Sequence, residues 1–175
     1  MENNTLIIFA SPKENGYTAR LLREAFPRFR EYGFYNCYKN IPMPCTDCGL
    51  CKVKTECCFT DLDRFFNDFQ KATNVIFAFP VYNGSVPSPL KSLIDRFQRF
   101  YNARFCQNIK PPMAGSRKVT LLITSGSGKN YTDDILKQFV PMFTISGCTL
   151  SAVYSLKGTD LLTNADKICP EIKHY

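Results

Sequence analysis

Thr5-Leu6-Ile7-Ile8-Phe9-Ala10-Ser11-Pro12-Lys13-Glu14-Asn15-Gly16-Tyr17-Thr18 passes from an unbroken apolar run, through a polar break, into a helical period. A run of this length with no alternation is what a parallel strand buried on both faces requires. Proline and glycine end the strand, and the helical pattern begins near Thr18. The same grammar repeats downstream. Asn74 to Phe79 is a second strong strand, stopped by Pro80, and Lys118 to Thr124 is a third, stopped by Ser125-Gly126-Ser127-Gly128. Phe34 to Lys39 and Thr149 to Leu156 complete five predicted strands. Between them, Leu62, Phe65, Phe66 and Phe69 share one helical face. So do Leu90, Leu93, Ile94, Phe97, Phe100 and Tyr101, and then Ile135, Leu136, Phe139, Val140 and Phe143. Such aromatic stripes are the core faces of amphipathic helices. Regular alternation of strand and helix predicts a three-layer α/β sandwich around a parallel sheet.

The chain has 175 residues, 45% of them hydrophobic, which suits one domain able to bury roughly 70% of its unfolded surface. Residues 1–175 read as a single domain, with one irregular, cysteine-rich segment at 40–60. The apolar content excludes a disordered chain, and the longest apolar run is far too short for a membrane helix. Met1-Glu2-Asn3-Asn4 shows no basic-then-apolar pattern, so a cytoplasmic protein without a secretory signal is expected. With 22 basic and 15 acidic residues the net charge is +7, but the basic residues are scattered and form no nucleic-acid motif. The single histidine, His174, argues against histidine-dependent catalysis.

Ser11 to Thr18 lies where parallel sheets bind ligands, at the carboxyl end of a strand. Ser11 and Thr18 bring hydroxyls, Gly16 permits close backbone approach, and the new helix offers free N–H groups to an anion. Neither G-x-G-x-x-G nor a Walker-type loop is present: Ser125-Gly126-Ser127-Gly128-Lys129-Asn130 has the wrong glycine spacing and no hydroxyl residue after lysine.

Ala10-Ser11-Pro12-Lys13 through Gly16-Tyr17-Thr18 resembles the opening of the flavodoxin-like NAD(P)H-dependent FMN reductases. Phe79-Pro80-Val81-Tyr82-Asn83-Gly84-Ser85-Val86, followed by Leu90-Lys91-Ser92-Leu93-Ile94-Asp95-Arg96, is similar to their second signature. The resemblance implies a flavodoxin-like sandwich with five parallel strands in the order 2-1-3-4-5. It also implies FMN as cofactor, held by Ser11, Lys13, Gly16, Tyr17 and Thr18 around the phosphate. Pro80, Val81, Tyr82, Asn83, Gly84 and Ser85 would line the isoalloxazine, with Ser125 and Gly126 at its far side. NAD(P)H would be the electron donor or co-substrate, and no amino acid need act as nucleophile or general base. A small-molecule acceptor or a ferredoxin-like carrier would receive the electrons, with no role for nucleic acid or membrane. A homodimer or homotetramer is expected, with the aromatic segment Phe97 to Phe105 as a pairing surface.

Nine cysteines are the compositional anomaly, and five of them crowd Cys45 to Cys58. The spacing C-x2-C-x2-C-x5-C is compatible with a cluster wrapped by three thiolates and completed by a fourth. Zinc and free, redox-active thiols are the other readings, zinc being disfavoured because the C-x2-C pairs overlap. The placement resembles the compact motif of iron-sulfur flavoproteins, which implies a [4Fe-4S] cluster on Cys45, Cys48, Cys51 and Cys57, with Cys58 supernumerary. A cluster-free FMN, quinone or nitro reductase is the alternative. Cys37, Cys106, Cys148 and Cys169 are expected to be isolated structural thiols that pack as small hydrophobes.

Overall fold

The computed structural model describes residues 4–163 and 165–175. The first three residues of the chain, on which the secretory-signal reading partly rests, lie outside them. In chain order the main elements are β1 (Thr5–Phe9), α1 (Tyr17–Ala25), β2 (Gly33–Asn36), α2 (Asp63–Lys71) and β3 (Asn74–Pro80). They continue with α3 (Ser88–Asp95), α4 (Gln98–Phe105), β4 (Arg117–Thr124), α5 (Thr132–Ser146), β5 (Cys148–Leu156) and β6 (Glu171–His174).

The sheet has six strands in the order β2-β1-β3-β4-β5-β6, which corrects the five expected from sequence. The first five are parallel and keep the expected 2-1-3-4-5 order, whereas β6 runs antiparallel along β5, pairing Ala152 with His174 and Ser155 with Glu171. All four β6 side chains are exposed, so Glu171-Ile172-Lys173-His174 carries none of the apolar patterning that marks a buried strand. Its position is set by backbone pairing, with an ion pair from Glu171 to Lys157 at its start.

Side chains alternate across the sheet as the pleat demands. Leu6, Ile8, Val75, Phe77, Phe79, Leu121 and Ile123 face one layer, where they meet Phe65, Phe66, Phe69, Leu90, Leu93, Phe97 and Phe139 from α2 through α5. Ile7, Phe9, Ile76, Ala78 and Leu122 face the other, against Ala19, Leu21 and Leu22 of α1 and Ile168 of the C-terminal segment. Each large apolar side chain so buried contributes about 1.5–3 kcal/mol. Both faces are covered, which is why the strands read as continuous apolar runs.

The helical stripe from Leu90 to Tyr101 divides into α3 and α4. The backbone tightens at the junction, where the Arg96 amide donates to Leu93 and that of Phe97 to Ile94. There the Arg96 side chain leaves the helix surface and enters the cysteine-rich segment. Beyond the break Tyr101 is exposed rather than on the core face, as is Val140 of α5.

Candidate functional site

Because β1 to β5 are parallel, the loops that follow them emerge at one edge of the sheet. The loop after β1 brings Ser11 in buried, leaves Lys13 exposed, and delivers Gly16 as the residue preceding α1. Gly16 has extended backbone and no side chain caps the helix. Among the described residues no acceptor takes the amides of Tyr17, Thr18 and Ala19. These are the orphan donors of a helix start, and with the positive end of the helix dipole they form a place for an anion.

The Thr18 hydroxyl predicted to serve that anion, and the hydroxyl of Tyr17, are used internally. Thr18 Oγ1 lies 2.7 Å from Thr124 Oγ1, a buried contact joining the first turn of α1 to the end of β4. The Tyr17 hydroxyl donates to the Leu162 carbonyl, and Arg20 reaches the carbonyls of Thr163 and Asp166. Thr18 and Tyr17 therefore offer their amides, while their side chains fix the helix start against β4 and the C-terminal segment. Ser11 Oγ accepts only a long bond, 3.4 Å, from the Lys13 amide.

The loop after β3 is a two-residue turn. Tyr82 and Ser85 exchange both backbone hydrogen bonds at 3.0 Å, and Asn83 and Gly84 between them have φ values of 52° and 74°. Positive φ at both central positions makes this a type I′ turn, for which Asn-Gly is the preferred pair. Val81 is anchored to β4 through its amide and the Thr124 carbonyl, and Ser85 Oγ donates to Gln138 Oε1 of α5. With Tyr82 and Ser85 paired to each other, the Asn83 and Gly84 amides stay free of partners among the described residues. Tyr82 is exposed. Burial, and then the neighbouring Tyr82, raise the Tyr38 phenol above its ordinary value.

The third loop begins at buried Ser125, whose hydroxyl donates to the Ser127 carbonyl. Its backbone carbonyls at Ser125, Gly126 and Ser127 accept the amides of Thr159, Asp160 and Gly158. Gly126 lies against the Asp160 carboxylate, so that a Cβ there would displace that exposed side chain. Gln138 and the segment around Asp160 are site-shaping residues absent from the sequence reading. Their polar character was visible, but their placement depends on tertiary pairing.

The residues present fit a flavin mononucleotide. Free amides and the Ser11 hydroxyl surround the start of α1, which suits a phosphate monoester. The Asn83–Gly84 amides and the Tyr82 ring suit a flat heteroaromatic with polar edges.

Beside this edge, the chain from β2 to α2 carries the clustered cysteines. Arg96, 2% exposed, donates to the carbonyls of Met43 and Phe59 and to the Asp61 carboxylate at 2.8–3.0 Å. It thereby fastens both ends of the cysteine-rich segment. Arg99 holds the Thr55 carbonyl and the Asp63 carboxylate. Cys51 Sγ accepts from Asn102 Nδ2 at 3.1 Å, and its carbonyl accepts from Gln107. Cys48 Sγ and Cys58 Sγ lie 3.2 Å apart. The Leu50 amide, then Cys58, holds the Cys48 thiol below its ordinary value, while the bond to Cys48 pushes Cys58 up to about 11.

In this arrangement the sulfurs expected to hold a [4Fe-4S] cluster are not gathered around one point. Among the described residues no three Cys, His, Asp or Glu side chains gather as a metal site. One sulfur of the expected set is bonded to an amide of α4, and another is paired with the supernumerary Cys58. The scattered thiols also divide. Cys37 is buried as expected and Cys148 is half-buried, but Cys106 and Cys169 are exposed. No helix among the described residues is long and apolar enough to cross a membrane.

The family model for NADPH-dependent FMN reductase matches residues 4–159. An iron-sulfur flavoprotein of Methanocaldococcus jannaschii is 33% identical over 94 residues, 51% of this chain and 49% of that protein. An FMN-dependent NADH:quinone oxidoreductase of Bacillus cereus is 34% identical over 82 residues, 46% of this chain and 37% of that protein. The match thus spans about half the length of the first relative and less of the second. Among solved structures, an FMN-dependent NADH-azoreductase from Bacillus anthracis in complex with FMN has a TM-score of 0.63 at 18% identity. The superposition covers 93% of this chain and 90% of that one, a likeness of fold.

Proposed function

Because the chain belongs to the NADPH-dependent FMN reductase family, we propose that it is an FMN-dependent oxidoreductase that takes electrons from NAD(P)H and delivers them to a small quinone- or azo-type acceptor. The observation that carries this reading is the juxtaposition, at one edge of the sheet, of the uncapped start of α1 and the Asn83–Gly84 turn. Ser11, Lys13, Gly16 and the amides of Tyr17 and Thr18 would hold the FMN phosphate. Pro80, Val81 and Tyr82, with the amides of Asn83 to Ser85, would line one side of the ring system, and Ser125 and Gly126 would border the other. Bound FMN supplies two-electron hydride acceptance together with one-electron release. The protein's own part is binding and orientation, and no side chain is assigned a proton transfer. The name of the Bacillus cereus relative supports quinones as acceptors.

Reconstitution tests this. After incubation with FMN and gel filtration, the protein should keep a flavin spectrum that bleaches anaerobically with NADH or NADPH and returns on adding a quinone. Protein that emerges colourless sinks the proposal.

A second reading adds a [4Fe-4S] cluster on Cys45, Cys48, Cys51 and Cys57. It is favoured by the C-x2-C-x2-C-x5-C spacing and by the name of the archaeal relative. About four irons and four sulfides per chain after anaerobic purification would support it. With either reading we propose a cytoplasmic homo-oligomer, the exposed Tyr101 and Phe105 of α4 supplying apolar contact surface. Light scattering at micromolar concentration tests the assembly.

A further inference from the structure

We propose that Cys48 and Cys58 form a redox-active dithiol, a second two-electron site that closes to an intrachain disulfide in exchange with low-molecular-weight disulfides. The sulfurs stand 3.2 Å apart and both residues are exposed, so a reagent reaches the pair from solvent. A disulfide needs about 2.05 Å between sulfurs, so closure asks for a movement of only about 1 Å.

The surrounding structure holds this pair in place, with Cys57 as a third thiol beside Cys58. On the Cys48 side, Asp47 and Gly49 take φ values of 48° and 79°, a tight bend that leads into a 3-10 turn at Leu50–Lys52. That turn is fastened to α4 through Cys51, whose sulfur and carbonyl are taken by Asn102 and Gln107. On the Cys58 side, the next carbonyl, Phe59, is gripped by buried Arg96, and Thr55 is gripped by Arg99. Both arms are therefore pinned to α3 and α4 by contacts outside the pair. Ten positions separate the two cysteines in sequence. Their proximity is imposed by the scaffold, not by adjacency.

The chemistry is thiol–disulfide exchange. A thiolate of the pair attacks one sulfur of oxidised glutathione, forming a mixed disulfide and releasing one glutathione thiol. The second cysteine then attacks the protein sulfur of that mixed disulfide, the protein–glutathione bond breaks, and the Cys48–Cys58 bond forms. The pair loses two protons and two electrons, and two glutathione thiols carry them away.

The site does not depend on the flavin reading, and its test leaves the flavin in place. FMN-treated full-length protein is reduced, desalted anaerobically and exposed to oxidised glutathione. Thiols are then titrated under denaturing conditions, and unreduced tryptic peptides are mapped by tandem mass spectrometry. Trypsin cuts after Lys52 and Lys54, so Cys45, Cys48 and Cys51 fall in one peptide and Cys57 and Cys58 in another, and fragment ions of the cross-linked pair assign which two sulfurs are joined. The expected result is a loss of two thiols per chain with a Cys48–Cys58 cross-linked peptide. Cys48→Ser and Cys58→Ser should each abolish the cross-link and retain a glutathione adduct on the remaining cysteine, whereas Cys57→Ser should cross-link as wild type. Unchanged far-UV circular dichroism checks the fold of each variant. A persistent adduct on the wild type, a cross-link through Cys45, Cys51 or Cys57, or bound iron and sulfide that shield Cys48 until a chelator is added would each overturn the proposal.

Discussion

Arg117, at the start of β4 and 2% exposed, shows how a buried charge is accommodated by backbone carbonyls, with the Phe69 ring beneath it. Its guanidinium donates to the carbonyls of Phe69, Gln70, Ala114, Gly115 and Ser146 at 2.6–3.3 Å. Phe69, Gln70 and Ser146 lie in the last turns of α2 and α5, where helix dipoles are negative and carbonyls lack intrahelical partners. Arg117→Met should therefore cost about 3 kcal/mol, because it strands several buried acceptors at once. Arg117→Lys should recover only part of that loss, since an ammonium cannot reproduce the planar fork. Urea titrations of the three proteins check both expectations. Nothing in the sequence marked this residue, because its acceptors are carbonyls assembled from three distant segments. Cys37 is the opposite case: a small hydrophobe was expected there, and it is fully buried. Burial pushes its thiol from 9.0 up to about 12, so the folded state keeps a proton that the unfolded chain releases. Stability must then fall as pH rises above 9 and go on falling toward about 12. Burial raises the Tyr35 phenol from 10.0 as well, adding to the loss from above pH 10. Melting temperatures measured above pH 9 should decline less steeply in Cys37→Ala than in wild type.

At the scale of elements, the Tyr82–Ser85 turn was legible and the α3–α4 break was not. Asn-Gly between a strand and a helix announces a left-handed pair, and the structure places both residues at positive φ. Gly84→Ala should destabilise by about 1 kcal/mol, the cost of a Cβ in left-handed backbone. Space is not the cause, because the new carbon would meet the Tyr131 ring at an ordinary 3.5 Å. Asn83→Gly should be close to neutral, and chemical denaturation separates the two. The Leu90 to Tyr101 stripe keeps its helical period through the break, so periodicity alone could not reveal it. What divides the helix is the demand of Met43, Phe59 and Asp61 for the Arg96 side chain. The cysteine spacing was equally visible, yet which sulfur meets which depends on Asn102, Arg96 and Arg99, none of which belongs to the motif.

For the molecule as a whole, the parallel core was readable because each strand is covered on both faces and must be apolar throughout. The sixth strand escaped notice for the converse reason. Its value lies in the edge of β5, which it pairs through four residue positions, with the Tyr175 amide adding a bond to Ser151. An uncovered edge strand is a template for pairing between copies. Removing residues 171–175 should therefore leave far-UV circular dichroism nearly unchanged while light scattering detects concentration-dependent self-association. If the shortened protein stays as dispersed as the full chain, β6 is not the guard of that edge.

The two ends of the sheet also differ in how they balance their dipoles. At the end where strands begin, surplus carbonyls of α2 and α5 are answered by a cation that belongs to the chain itself. At the end where strands finish, the surplus amides of α1 have no such counterpart among the described residues. The fold thus carries its own positive counter-ion at one pole, sealed at folding, and under the proposed function the other pole would be completed by the phosphate of a bound cofactor.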